Sequence, residues 1–531
     1  MISPEQLAAL MHTGAEAPHA VLDLRERAAF ERGHIFRATP LPRRLLEFRL
    51  APLITARATP IVVYDEQGRL SALARPTLRS IGYDDVRILT GGLAAWRAAG
   101  QPVVQGLNVP SKVFGERVLH ELGTPSITPD ELRARMAVGA DMIIVDARTP
   151  EEYVRGCIPG AWSVPGGELV RRITELAPRP DTTIVVHCGG RTRSYIGAES
   201  LRRMGLTNPV VALENGTMGW ELAGLELERG AGRWAPAPSA ASRRLAARVA
   251  ERIAAEDRVA LVSADELRDL WAQRERENVT ILDVRSAEEY AQGHLAGAIW
   301  APGGQAIQAT DEYIAVRAAR IVVTCDDAAR STVTAAWLMR MGWPRVAVLA
   351  GGLGRWAERD GAIETGRPSA PPWGYDRAQA AVSRVPPGRL GSAVILNVDP
   401  SDVYRRGHVP GAAWLCRSRL ELLITRVLDG PAVPAILTCD DGAHSTLAAA
   451  TLGALGYCAV QVLEGGTQAW RAAGLPVESG PTRLVDEPDD VVLKPYERGR
   501  PAMQAYLRWE EALDTEGRSP HALLPPREDR R

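Results

Sequence analysis

Residues 144–158 read IVDARTPEEYVRGCI, and residues 184–194 read IVVHCGGRTRS. The first stretch is a short apolar run closed by Asp146, followed by a Thr-Pro-Glu-Glu helix start and a glycine at Gly156. The second is another apolar run that stops at Cys188. Cys188 opens a six-residue loop, and a helical pattern then begins at Ser194. Two buried strands, each feeding a helix, predict an α/β fold with a mostly parallel sheet flanked by helices.

Working outward from this pair, the same pattern recurs in three other places. VLDLRERAAFERGHI begins at Val21, ILDVRSAEEYAQGHL at Ile281 and ILNVDPSDVYRRGHV at Ile395. Asp23, Asp146, Asp283 and Asn397 each stand 42 residues before Asp65, Cys188, Cys325 and Cys439, respectively. Gly33, Gly156, Gly293 and Gly407 lie 10 residues after the first marker; Gly82, Gly205, Gly342 and Gly456 lie 17 after the second. That register identifies four copies of one domain. Each copy continues into a third strand (VRILTGG, VVALENG, VAVLAGG, VQVLEGG) and a helix carrying Trp96, Trp220, Trp356 or Trp470, read as core anchors.

The boundaries read from the repeat place domain 1 at 1–108 and domain 2, with its linker helix, at 109–230. Domain 3, with its linker helix, takes 231–370, domain 4 takes 371–480, and a tail covers 481–531. Pro110–Gly123 and Ser239–Asp257 both read as helical linkers, the second with Leu245, Val249 and Ile253 on one stripe. The tail carries one helical stretch, PAMQAYLRWEEALD, expected to strap across another domain.

The chain has 531 residues, 46% hydrophobic and 24% charged, an ordinary globular composition. A net charge of -1 leaves no basic field for nucleic acid or an anionic membrane. No apolar run is long enough for a membrane span, and MISPEQLAAL lacks the features of a signal peptide. Six cysteines without a C-x-x-C pair predict neither a disulfide framework nor a metal site. A reduced, cytoplasmic protein without cofactor is expected. Only Lys112 and Lys494 are lysines, a bias the physics does not require and which reads as composition of the source gene.

The chemistry is expected at Cys188-Gly189-Gly190-Arg191-Thr192-Arg193. A strand, a tight loop and a helix N-terminus form a nest of backbone N–H groups. A cysteine at its base meets the partial charge of the helix end and the full charges of Arg191 and Arg193, which favour the thiolate. The two glycines let the backbone turn.

These residues resemble the rhodanese family of sulfurtransferases, through the D-x-R-x-x-x-E-[FY]-x-x-G-H-I block, the C-x-x-x-x-R loop and the L-x-G-G-x-x-x-W ending. The resemblance covers all four copies and is nearest to bacterial proteins with four such domains. It implies a two-step exchange: the Cys188 thiolate takes the outer sulfur of a donor such as thiosulfate, then yields it to cyanide, a thiol or a protein acceptor. Arg191 and Arg193 would hold the sulfonate oxygens, and the amides from Gly189 to Arg193 would cradle the persulfide. The cysteine-phosphatase loop H-C-x₅-R is a rival, but only four residues separate Cys188 from Arg193. The mercaptopyruvate branch resembles C-G-S-G-V-T, which CGGRTR does not match.

The copies are unequal. Domain 1 has Asp65 for cysteine and Leu70 for arginine, so it is expected to be non-catalytic. Domain 3 (Cys325-Asp326-Asp327-Ala328-Ala329-Arg330) keeps Cys325 as a second candidate nucleophile, with Arg330 as an anion-binding candidate. Domain 4 offers Cys439, with His444 replacing the arginine. An acid within ~6 Å opposes a thiolate by about 1–3 kcal/mol at an effective dielectric of 20–40, which ranks Cys439 and Cys325 behind Cys188. A non-enzymatic scaffold or sulfur-relay protein is the other reading of four such copies. Cys157, Cys416 and Cys458 are expected in the core. The Asp23, Asp146 and Asp283 carboxylates are expected to pair locally with Arg25, Arg148 and Arg285.

Overall fold

In a computed structural model that describes residues 1–13, 17–359, 361–366 and 370–513, the second copy sets the pattern. Its strands lie in the order Ser126–Ile127, Val210–Leu213, Thr183–His187, Met142–Asp146, Trp162–Ser163, every neighbour parallel. Domains 3 and 4 repeat this order, with Arg320–Thr324 and Ala435–Thr438 as their central strands. Parallel strands buried on both faces need continuous apolar side chains, and Ile184, Val185 and Val186 are fully buried. The helices begin where the sequence supplies caps: Thr149 with Glu152 and Ser286 with Glu289 each close a reciprocal capping box.

Domain 1 departs from the pattern. The outer edge of His19–Asp23 is completed partly by Thr39–Pro40 and partly by an antiparallel strand, Val316–Arg317, that belongs to domain 3. His19 pairs with Arg317 and Ala20 with Val316.

The four domains associate as two pairs, 2 with 3 and 1 with 4. Between domains 2 and 3 the chain comes close enough that a Cβ on Gly167 would stand 3.0 Å from the Gly303 Cα. The helix Ala240–Asp257 lies in the same seam, with Val249 and Ile253 inside a core that also holds Val186 of domain 2 and Trp337 of domain 3. Trp337 Nε1 donates to Ser200 Oγ across it at 2.8 Å. The same segments meet between domains 1 and 4. There Arg44 N donates to Ser418 Oγ at 3.0 Å, and Arg43 pairs with Glu421.

The helices Val109–Leu122 and Arg500–Ala512 cross over domain 2, and both reach its cysteine loop. No helix among the described residues is long and apolar enough to cross a membrane. Residues 514–531 of the expected tail lie outside the described residues.

Candidate active site

Cys188 ends the strand Thr183–His187 and precedes the helix Thr192–Arg202. Its sulfur stands 3.6 Å from Ser194 Oγ. Gly216, with φ +51°, holds the loop from below: a Cβ there would lie 2.2 Å from the Cys188 carbonyl oxygen. Gly92, Gly352 and Gly466 meet Asp65, Cys325 and Cys439 in the same way, which is the structural reason for the L-x-G-G ending.

The backbone N–H groups of Gly189, Gly190, Arg191, Thr192 and Arg193 donate to no protein acceptor among the described residues. In domain 1 a carboxylate fills the equivalent cradle, and in domains 3 and 4 a carboxylate takes one of its amides. In domain 1 Asp65 accepts from the amides of Gln67 (2.9 Å), Gly68 (2.5 Å) and Ser71 (2.6 Å). In domain 3 Asp327 accepts from the Ala329 amide at 3.2 Å and lies 3.8 Å from the Cys325 sulfur. In domain 4 Asp441 accepts from the Ala443 amide at 2.9 Å, 3.7 Å from the Cys439 sulfur.

The two expected arginines part company. Arg193 Nη1 and Nη2 bind Glu152 at 2.7 and 2.9 Å, and the side chain lines a cavity of about 770 Å³ in front of Cys188. Burial opposes the Glu152 charge, but Arg193 overrides it and holds the carboxyl below its ordinary range. Arg191 does not line the cavity. Its donors go to Glu116 (2.7 and 2.6 Å), Asn215 (3.1 Å) and Glu511 (3.1 Å), and its guanidinium lies over the Tyr195 ring. The expectation that Arg191 faces the sulfur is therefore corrected. A linker carboxylate offers it a two-point, buried partner, the geometry a guanidinium favours.

Thr192 is also engaged, donating from Oγ1 to Glu510 of the tail helix at 2.7 Å. The linker helix approaches it so closely that a Cβ on Gly115 would meet the Thr192 Cα at 2.9 Å. Gly189 and Gly190 line the cavity, and a Cβ on Gly190 would press on Met218 at 3.0 Å.

Sequence reasoning missed two features here. The first is Glu152 as the receptor of Arg193. The signal was available: six residues after each first marker stand Ala29, Glu152, Glu289 and Val403, against Leu70, Arg193, Arg330 and His444 in the loops. Acid and arginine occur together or not at all. The second is Lys112, from the linker helix, which binds Glu510 at 3.2 Å and lies near the Tyr506 ring. Lys494 lines the same cavity, so both lysines of the chain stand before Cys188.

The other candidates are enclosed. Cys325 is fully buried, and burial pushes its thiol up, only partly relieved by Arg330. Arg330 is itself buried among Glu168, Glu289 (2.7 Å) and Asp326 (2.6 Å), which engage both its Nη groups, while its Nε is buried without a partner. Arg171 from domain 2 binds both Asp326 and Asp327, at 3.1 and 3.3 Å. Cys325 Sγ and these two carboxylates lie within 4.8 Å of one another, a grouping these arginines already neutralise. Burial, with the Asp399 charge, pushes the Cys439 thiol up to about 12. His444 is stacked on Phe48 of domain 1.

Asp23, Asp146 and Asp283 each hold the arginine two residues on, which also reaches the carbonyl of Gly33, Gly156 or Gly293. Domain 4 substitutes an Asn397–Asp399 hydrogen bond at 2.9 Å. The histidines after the glycine, His34, His294 and His408, stack on Phe30, Tyr290 and Tyr404, while Cys157 takes that place in domain 2. Cys157 and Cys416 are buried, but Cys458 is exposed, a correction to its expected core position. It follows Tyr457 at the turn before the edge-ward strand Val460–Leu463, where the chain has returned to the surface.

The parallel α/β sheet presents a free cysteine before a helix N-terminus, in the lining of a cavity, an arrangement chemically suited to a cysteine nucleophile. The rhodanese-like domain family matches residues 3–99, 128–223, 266–359 and 388–473, and the chain belongs to that family. The crystal structure of a thiosulfate sulfurtransferase from Pseudomonas aeruginosa superposes with a TM-score of 0.90 at 40% identity, covering 97% of each chain. A thiosulfate sulfurtransferase of Azotobacter vinelandii is 31% identical over 248 residues, 38% of this chain and 88% of that one. A Mycobacterium tuberculosis protein named SseB is 35% identical over 129 residues; the match spans 21% of this chain and less than half, 42%, of that relative.

Proposed function

We propose that the protein is a thiosulfate sulfurtransferase whose working site is domain 2. Cys188 thiolate attacks the outer sulfur of thiosulfate, and the sulfur–sulfur bond breaks with its electron pair leaving on sulfite. The new Cys188 persulfide sits in the ring of amides from Gly189 to Arg193. A thiol acceptor, free or on a protein, or cyanide then attacks the terminal sulfur, and the electron pair returns to Cys188. Neutral and charged donors in a preorganised cradle stabilise a sulfur anion without reorganisation.

The observation that carries this reading is the cradle itself. It is open over Cys188, filled by Asp65 in domain 1, and shared with a carboxylate beside the sulfur, Asp327 or Asp441, in domains 3 and 4. The same contrast favours a scaffolding role for domains 1, 3 and 4 within the enzyme. All six cysteines are free thiols, as a reducing, cytoplasmic setting would keep them. The test is mass spectrometry of the protein after brief thiosulfate exposure. One added sulfur atom is expected on the Cys188 peptide; its absence there, with sulfur found on Cys325 or Cys439, would reject the assignment.

A further inference from the structure

The cavity in front of Cys188 is not made by domain 2 alone. The linker helix supplies Lys112, the tail supplies Lys494, Tyr506 and Trp509, and domain 1 supplies Arg32. At about 770 Å³ it falls in the range that takes organic ligands, ~300–1,000 Å³, far beyond the needs of one oxyanion.

Its charges are unevenly committed. Arg193 is held by Glu152, and Arg498 by Glu31 at 2.7 Å. Lys112 shares Glu510 with Thr192, while no carboxylate among the described residues lies within ion-pair distance of Lys494. The Cys188 sulfur is within electrostatic reach of Lys112 and Arg193, and Lys494 is within reach of both. With Arg191 turned away to Glu116, the surplus positive charge at the mouth comes from outside the repeated domain.

We propose that Lys112 and Lys494, brought by the linker and the tail, form the element that selects for negative charge in whatever approaches Cys188. Their reach extends beyond the donor. In a two-step exchange both reactants enter the same cavity, so the acceptor selected is a small organic thiol bearing a carboxylate or sulfonate. Its apolar part rests on the aromatic wall of Tyr496, Tyr506 and Trp509. The lysines are specificity-determining residues of the proposed reaction, and the inference rests on that proposal only in assigning them to sulfur transfer.

The test is the rate at which Cys188 is alkylated by iodoacetate relative to iodoacetamide, reagents of similar size that differ in charge, in the full chain. The variants are Lys494→Met, Lys494→Arg and, to avoid leaving Glu510 buried without its partner, the double variant Lys112→Met/Glu510→Gln. The iodoacetate-to-iodoacetamide ratio should fall about 3- to 10-fold in Lys494→Met, recover in Lys494→Arg, and fall by less in the double variant, which removes one charge of each sign. Iodoacetamide should slow by less than iodoacetate, since it loses only the stabilisation of the thiolate. KM for thiosulfate and for an anionic thiol should rise with little change in kcat, while KM for a neutral thiol should stay put. An unchanged ratio, or equal changes with both reagents, would overturn the proposal. Because alkylation needs no sulfur transfer, a shifted ratio in a protein without transferase activity would refute the proposed function and leave the charge selection standing.

Discussion

The Asp65 carboxylate accepts the Ser71 amide at 2.6 Å and the Ser71 hydroxyl at 3.0 Å, so domain 1 carries inside itself the anion its loop was shaped to hold. The corresponding serine in domain 2, Ser194, faces a sulfur instead. One cradle is thus used in two ways: as a structural joint where the anion is built in, and as a working site where it is left open.

Asp65→Cys should therefore fail to create a second site and should weaken domain 1. A thiol cannot satisfy three amides and a hydroxyl, and each buried donor left unpaired costs about 1–3 kcal/mol. The expected result is a lower thermal midpoint and no thiosulfate turnover in a background lacking Cys188. Turnover in that background would show that Leu70 and the local charges matter less than the cysteine alone.

Cys188→Ser should abolish sulfur transfer from thiosulfate to cyanide, whereas Cys325→Ser and Cys439→Ser should retain most of it. Among the described residues, the Cys188 loop is the one whose amides are open and whose cysteine lines a large cavity. Steady-state rates of thiocyanate formation by the three variants decide the matter, and full activity in Cys188→Ser would reject domain 2 as the site.

Alkylation at pH 6.5, read peptide by peptide, should rank Cys188 first and the exposed Cys458 second. Cys325, Cys439, Cys157 and Cys416 should follow far behind, because burial both hides them and pushes their thiols up. Faster labelling of Cys325 than Cys458 would mean that the seam between domains 2 and 3 opens in solution.

Asp311→Asn should stabilise the protein at pH 8 and leave it unchanged at pH 3. Burial, with the neighbouring Glu312 charge, pushes the Asp311 carboxyl up to about 7, and its Oδ1 has no hydrogen-bond partner. A carboxyl raised in the folded state keeps its proton there longer than in the unfolded chain. The folded state therefore loses stability as pH rises from about 4 through about 7. Removing the charge should recover up to about 4 kcal/mol above pH 7, measured as a pH-dependent gap between thermal midpoints. A gap that is constant with pH would place the effect in packing instead.

The repeat, the alternation of strands and helices and the loop at Cys188 were legible in the sequence because each is encoded locally, in apolar runs, glycines and caps a few residues apart. The commitments of the charged side chains were not. Arg191 is decided by Glu116, 75 residues earlier, and by Glu511, 320 residues later. A composition count reads two lysines as bias; only the packing of linker and tail over domain 2 brings them to one place. The Glu152–Arg193 pairing was within reach, since the four copies vary at both positions together.

The strand Val316–Arg317, which finishes the edge of His19–Asp23, also fixes an order of events during synthesis. Domain 1 leaves the ribosome first, yet its sheet waits for residues made some 200 positions later. At 5–20 residues per second that interval is on the order of 10–40 s. Throughout it the nascent chain displays an unpaired strand edge, the feature most prone to pairing with a neighbouring chain. The partner of domain 1 across its other face, domain 4, comes later still. The edge of domain 1 is therefore exposed until domain 3 has emerged, and its contact with domain 4 can form only after that.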